Sequence, residues 1–140
     1  MPLDITSLVN SINSLDSSIQ TYNKLSKIDL ITEKDLETVK SGVIQNFEVA
    51  YEQCWKFMKR WIEENVSPDL AEGVSRKELY RVSAENKLIS DVEDWMRFNK
   101  SRNLTSHIYN FKVSDITFKS ALEFINVAKD FQKRIEERND

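Results

Sequence analysis

The stretch "VIQNFEVAYEQCWKFMKRWI", residues 43–62, decides how this chain folds. Val43, Phe47, Ala50, Cys54, Phe57, Trp61 and Ile62 recur at steps of three and four, which gathers them on one face of a helix, whereas strand alternation would scatter them over two. The spacing predicts a helix over about 33–64, roughly 45 Å long at about 1.5 Å per residue. Thr32 and Asp35, just before the stripe, have the form of a capping box. Gly42 is the point where the helix is expected to bend.

Outward from this helix the same rhythm repeats. Ile5, Leu8, Ile12, Leu15 and Ile19 predict a helix over about 4–23. "SPDLAEG" (67–73) sets Pro68 after a potential cap at Ser67 and ends on Gly73, which suits one short helical turn. "SRKE" (75–78) and "SDVE" (90–93) share the S-x-x-E form of a helix start and open helices over about 76–87 and 91–108. Ile116, Phe124, Ala128, Phe131 and Ile135 mark the last, over about 114–137. With 140 residues, two glycines and two prolines, the expected architecture is one all-α domain over 1–140. It would be an antiparallel up-down helical bundle of four main helices plus one short helix. There is no internal repeat or linker.

Charge and rare residues narrow the chemistry. Twenty basic residues against 23 acidic ones give a net charge of −3, so the chain as a whole does not attract a polyanion, and any nucleic-acid contact must be local. Binding to DNA is not expected. One cysteine and one histidine do not make a zinc site within one chain, and neither metal nor cofactor is expected. Cys54, on the apolar stripe, is expected to be buried. The start "MPLDITSLVNSINSLDSSIQ" lacks a basic region followed by an apolar run, and no segment is apolar enough to cross a bilayer. The expected location is the cytoplasm, without membrane contact.

The helix expected at 91–108 changes character along its length. Its inner row reads Val92, Trp95, Asn99, Arg102, Ser106 and Tyr109, apolar at first and polar afterwards, and Asn103, His107 and Asn110 form a neighbouring row. Buried polar groups are costly unless paired, so this row leaves the core for solvent, enters an interface, or lines a site. A solvated helix end, with His107 complementing the dipole, would account for it. An arginine fork that binds phosphate beside a histidine that titrates near neutral pH instead suits phosphodiester cleavage without metal, through attack by a ribose 2′-hydroxyl. That reaction needs two proton-transfer groups. Since the chain has one histidine, the second would come from a homodimer, in which a two-fold axis brings two His107 and two Arg102 to one cleft.

These residues resemble the HEPN superfamily, and within it the group described as nucleotidyltransferase substrate-binding proteins and as HepT-type toxins. "RNLTSHIYN" (102–110) is similar to the group's motif, with Arg102, the polar Asn103, His107 four intervening residues after the arginine, and Tyr109. "IQNFEVAYEQCWKFMK" (44–59) is similar to its long helix, with Phe47, Glu48, Glu52, Trp55 and Lys56 at matching places. "SRKELYRVSAENKLI" and "DWMRFNKSRN" resemble the following segment. The likeness spans about residues 40–112. Where the group usually opens its next helix with proline and continues "REA", this chain reads "SRKELYRVSA", and "FK" follows Asn110 where an acidic residue is common. The resemblance implies an RNA-cleaving toxin, acting on transfer or messenger RNA, encoded beside a minimal nucleotidyltransferase antitoxin. That partner would neutralise the toxin by transferring AMP to Tyr109. Arg102 and His107 would be catalytic and Asn103 would orient them. The alternative is a non-catalytic subunit that binds nucleotide for a separate nucleotidyltransferase.

The remaining candidates have ordinary readings beside functional ones. Glu48 and Glu52 stand four apart on one helical face and are candidate contacts to substrate or partner, while Glu52 with Lys56 also suits an ion pair. Arg97 and Lys100 form a small basic cluster before the motif, read either as a phosphate track or as a solvated face. Ser106 and Asn110 are candidate contacts beside the histidine. Trp55, Trp61, Trp95, Phe47 and Phe57 have the spacing of core residues rather than of a base-stacking platform.

Overall fold

The structure, a computed structural model, describes residues 2–104 and 111–140, with only the backbone at 111 and 112. The described residues form α1 (Thr6–Leu25), α2 (Glu33–Asn65), the single turn α3 (Pro68–Ala71), α4 (Arg76–Glu85), α5 (Val92–Asn103) and α6 (Phe111–Glu137). The fold is all helical.

Side-chain caps set the helix starts. Thr32 accepts from the Asp35 amide at 3.1 Å, and the Asp35 carboxylate accepts from the Thr32 amide at 3.0 Å, so the expected capping box is present. α2 then runs unbroken through Gly42. Ser67 accepts from the Asp69 amide, with Pro68 at the first helical position of α3. Gly73 takes φ +66° after that turn, a backbone that suits glycine. At α4 only half of the expected box forms: Ser75 accepts from the Glu78 amide at 3.2 Å, while the Glu78 carboxylate turns to Arg81. At α5 the cap is Asp91, which accepts from the Glu93 amide at 2.8 Å, and not Ser90. The Ser90 hydroxyl accepts from Arg134 at 2.6 Å.

Contacts at either end of each pair give the topology. Ser7 meets Gln53, and Asn46 donates to the Ser14 carbonyl, so α1 and α2 run antiparallel. Along α2 and α6, Lys40 pairs with Asp115, Phe47 packs on Phe124, and the Trp61 indole donates to the Arg138 carbonyl at 3.1 Å. These two helices therefore run parallel across the bundle. Arg97 pairs with Glu123 and Ser101 with Ser120, which makes α5 antiparallel to α6. The result is the expected up-down bundle of α1, α2, α5 and α6, with α4 packed against α2 and α5.

The core is aromatic at its centre. Trp95 meets Phe124 edge to face at 5.5 Å and Phe131 at 5.8 Å, an arrangement that adds about 0.5–1.5 kcal/mol per pair beyond burial. Phe47, Phe57, Trp61, Trp95 and Cys54 are buried, as their spacing predicts, and burial pushes the Cys54 thiol well above its usual range. Trp55 is only half-buried.

Three expectations need correction. The apolar spacing puts Ile116 on the core stripe of the last helix, but it is 52 % exposed. Counting back from Phe124, the inner row is Ala121, Thr117 and Ser114, all buried, with the Thr117 hydroxyl donating to the Val113 carbonyl. Small hydroxyl residues hold the core positions there, and the isoleucine lies off the row. The second correction concerns the helix expected over 91–108: α5 ends at Asn103. The last helix begins at Phe111 rather than near 114.

Candidate functional site at the end of α5

Arg102 occupies the last turn of α5, where cations complement the helix dipole. Its Nε donates to Glu52 Oε1 at 3.2 Å, and a terminal nitrogen lies 3.2 Å from Glu48 Oε1. Both glutamates come from α2, four residues apart and so on one face. The three side chains are 26, 39 and 29 % exposed for Arg102, Glu48 and Glu52, which leaves them partly solvated, where hydrogen-bond geometry counts for more than bare charge attraction. The carboxylate pair is thus occupied by a guanidinium. Glu52 reaches Arg102 rather than Lys56, which is exposed, with its Nζ 5.9 Å from the Trp55 ring centroid.

The cluster continues beyond Glu52. Its second oxygen accepts from the Trp55 indole at 2.9 Å, and the Arg76 guanidinium lies over the Trp55 ring at 3.3 Å from its centroid. Beneath them, the Tyr51 hydroxyl donates to Asn99 Oδ1 at 2.8 Å and also meets the Tyr80 hydroxyl. Because Tyr51 gives its proton to Asn99, Tyr80 must donate to Tyr51. Burial pushes the Tyr51 hydroxyl up to about 12, although Tyr80 and the positive charge of Arg76 pull it down. Burial also pushes Tyr80 up, and a nearby Tyr51 phenolate would push it further. Both phenols stay neutral hydrogen-bonding groups.

The structure brings together Arg102, Glu48 and Glu52 from the sequence-predicted set. Asn103 is exposed at the end of α5. Arg97 and Lys100 lie on the other flank of the helix, lining a groove between α5 and α6 with Leu104, Ile116 and Lys119. Arg97 is paired there with Asp94 and Glu123. His107, Tyr109, Ser106 and Asn110 lie outside the described residues. Sequence reasoning missed Arg76, Tyr51 and Tyr80. Tyr51 and Glu52 are adjacent in the long-helix segment, so a polar tip beside a carboxylate was visible there. Nothing local linked α4 to it.

Comparison with known proteins places the chain in a family and supports the helical fold. Residues 3–137 match the family described as nucleotidyltransferase substrate binding protein like. A Haemophilus influenzae protein named probable ribonuclease HepT is 24 % identical over 138 residues, covering 98 % of this chain and 94 % of the relative. A solved H. influenzae structure, described as revealing the fold of a substrate binding domain of a nucleotidyltransferase, superposes with a TM-score of 0.89. It is 22 % identical and covers 95 % of this chain and 99 % of its own. A Thermus thermophilus protein superposes at 0.63, also with 22 % identity, covering 86 % and 98 %. The helical fold and the family match over residues 3–137 agree, and the chain belongs to the nucleotidyltransferase substrate-binding-like family.

Proposed function

We propose that this chain is the ribonuclease toxin of a two-gene toxin–antitoxin system. It would act in the cytoplasm as a homodimer of one HEPN-type domain spanning 1–140, cleave RNA without metal or cofactor, and be neutralised by a cognate minimal nucleotidyltransferase. The observation that carries this reading is the Arg102 guanidinium, oriented by Glu48 and Glu52 at the end of α5 and five positions before the only histidine. The name of the H. influenzae relative supports it. Arg102 would bind the scissile phosphate through its charge and the fork geometry of its donors. His107 of one protomer would take the proton of the 2′-hydroxyl as that oxygen attacks phosphorus. His107 of the other would protonate the departing 5′-oxygen, leaving a 2′,3′-cyclic phosphate. Asn103 would orient the motif, and Ser106 and Asn110 would contact substrate or partner. Transfer of AMP from ATP to the Tyr109 hydroxyl, with release of pyrophosphate, would put a phosphate next to Arg102 and oppose RNA binding.

A second reading is favoured by the family description itself: a non-catalytic subunit that presents nucleotide to a nucleotidyltransferase. Incubating purified protein with total RNA and transfer RNA separates the two. The toxin reading expects cleavage by wild type and none by His107→Ala. Intact RNA with wild type sinks it, and saturable nucleotide binding that shifts on adding the nucleotidyltransferase would then support the second. With that enzyme and ATP, intact mass should rise by AMP units on wild type and not on Tyr109→Phe. An equal rise on both removes the assignment to Tyr109.

A further inference from the structure

Arg81, Arg97, Arg102, Arg134 and Arg138 each have a carboxylate within 4.0 Å. Among the described residues Arg76 has none. It is held instead by its flat face on Trp55, with the guanidinium carbon 3.3 Å from the ring centroid. Fixing an arginine side chain costs rotamer entropy, and the cation–π contact offsets that cost. Stacking uses the π face of the guanidinium, so its in-plane N–H donors remain available for an acceptor. The platform beneath it is itself fixed, because the Trp55 indole donates to one oxygen of Glu52 while the other oxygen holds Arg102. One tryptophan–glutamate pair thus sets the positions of two guanidiniums, one from α4 and one from α5. The charge of Arg76 also reaches inward to the Tyr51 and Tyr80 hydroxyls. Arg76 is itself half-buried, on the side of the bundle where Trp55 and Glu52 tie it to Arg102.

We propose that Arg76, stacked on Trp55, is a second phosphate-binding residue, taking the backbone phosphate of single-stranded RNA next to the one held at Arg102. This rests on the ribonuclease reading and adds a residue to its substrate track. Arg60 supplies a matched control. It lies over Phe57 at 4.9 Å, likewise without a carboxylate within 4.0 Å among the described residues, and further along α2 than Trp55.

The test measures binding of a fluorescein-labelled single-stranded oligoribonucleotide to His107→Ala protein across a salt series. Arg76→Gln should weaken binding roughly tenfold and lower the slope of log K against log salt by about 0.7, the loss of one single-strand phosphate contact. Arg60→Gln should change neither. Arg76→Lys should keep the salt slope while weakening affinity, and urea midpoints of all variants should match the parent. In the active background Arg76→Gln should raise KM and leave kcat unchanged. If the parent binds RNA and Arg76→Gln leaves affinity and slope as they were, the Arg76 proposal falls while the ribonuclease reading stands. If wild type neither binds nor cuts RNA, both fall.

Discussion

The two halves of α5 face the same bundle with opposite chemistry. Up to Phe98, at its middle, α5 inserts Trp95 and Phe98 among Phe124 and Phe131, all at most 1 % exposed. Its second half turns to hydroxyls and charge: Ser101 meets Ser120 at 2.7 Å, and Arg102 reaches Glu48 and Glu52. α6 mirrors the change, with Phe124, Ala128 and Phe131 opposite the aromatic half and Ser114, Thr117 and Ser120 along the other. Apolar packing is non-directional and supplies stability in proportion to area. Hydrogen-bonded pairs contribute little net stability but fix orientation. The bundle therefore draws its stability from one half and uses the other to aim Arg102.

The largest effect expected tests this division directly. Trp95→Ala should cost about 3–5 kcal/mol, the range for truncating a buried aromatic, read as a fall in the urea midpoint. Arg102→Gln should cost about 1 kcal/mol or less, because its carboxylate partners are partly solvated; on the proposed ribonuclease reading it should also reduce RNA cleavage by about a hundredfold to a thousandfold, as for removing a charged contact to a reacting phosphate. A destabilisation by Arg102→Gln as large as that of Trp95→Ala would mean that the polar half carries the fold as well.

The aromatic half was legible in the sequence because apolar residues at steps of three and four report directly on a buried face, and Phe47, Cys54, Phe57 and Trp95 all fall where the stripe puts them. Ile116 misleads for the same reason: an isoleucine reads as core, while the serines and threonine that hold the row give no hydrophobic signal. The S-x-x-E form points to Ser90, one residue early, because Asp91 competes for the same amides and wins. At the site, Arg102, Glu48 and Glu52 were each identifiable from spacing, but their pairing was not. It depends on α2 and α5 running antiparallel side by side, and sequence periodicity does not carry interhelical register. The same holds for Arg76 on Trp55, which joins two segments 21 positions apart. The membrane expectation rests on composition, and among the described residues no helix is long and apolar enough to cross a bilayer.

An intermediate effect belongs to the hydroxyl pair between the halves. Tyr51→Phe leaves the Asn99 carbonyl and the Tyr80 hydroxyl short of a partner and should cost about 1–3 kcal/mol at neutral pH. The pH dependence follows from the raised Tyr51 pKa, about 12 against 10.0. The folded state holds the proton more tightly than the unfolded one, so this contribution is complete below about pH 10 and is lost as pH rises through about 12. Tyr80 shifts in the same direction. The urea midpoint should therefore fall with pH in this alkaline window, less steeply in Tyr51→Phe than in wild type. Equal slopes would show that Tyr51 is not the group being titrated.

The smallest effect sharpens the comparison most, because it asks whether the polar half depends on pairing at all. Ser101 and Ser120 are 6 and 7 % exposed and share one hydrogen bond. Removing either hydroxyl strands the other in a buried setting, at about 1 kcal/mol. Removing both strands nothing, so the Ser101→Ala/Ser120→Ala double variant should cost about as much as one single, giving a coupling energy near 1 kcal/mol in a double-mutant cycle. A lone serine has an escape, since its hydroxyl can turn to a backbone carbonyl of the preceding turn, as Thr117 does to Val113. If that rescue is complete, the coupling vanishes and the α5–α6 contact near Arg102 is held by backbone packing alone. A measured coupling instead means that the hydroxyl pair fixes the register of α5 against α6 one residue before the guanidinium, where a slip would move Arg102 away from Glu48 and Glu52.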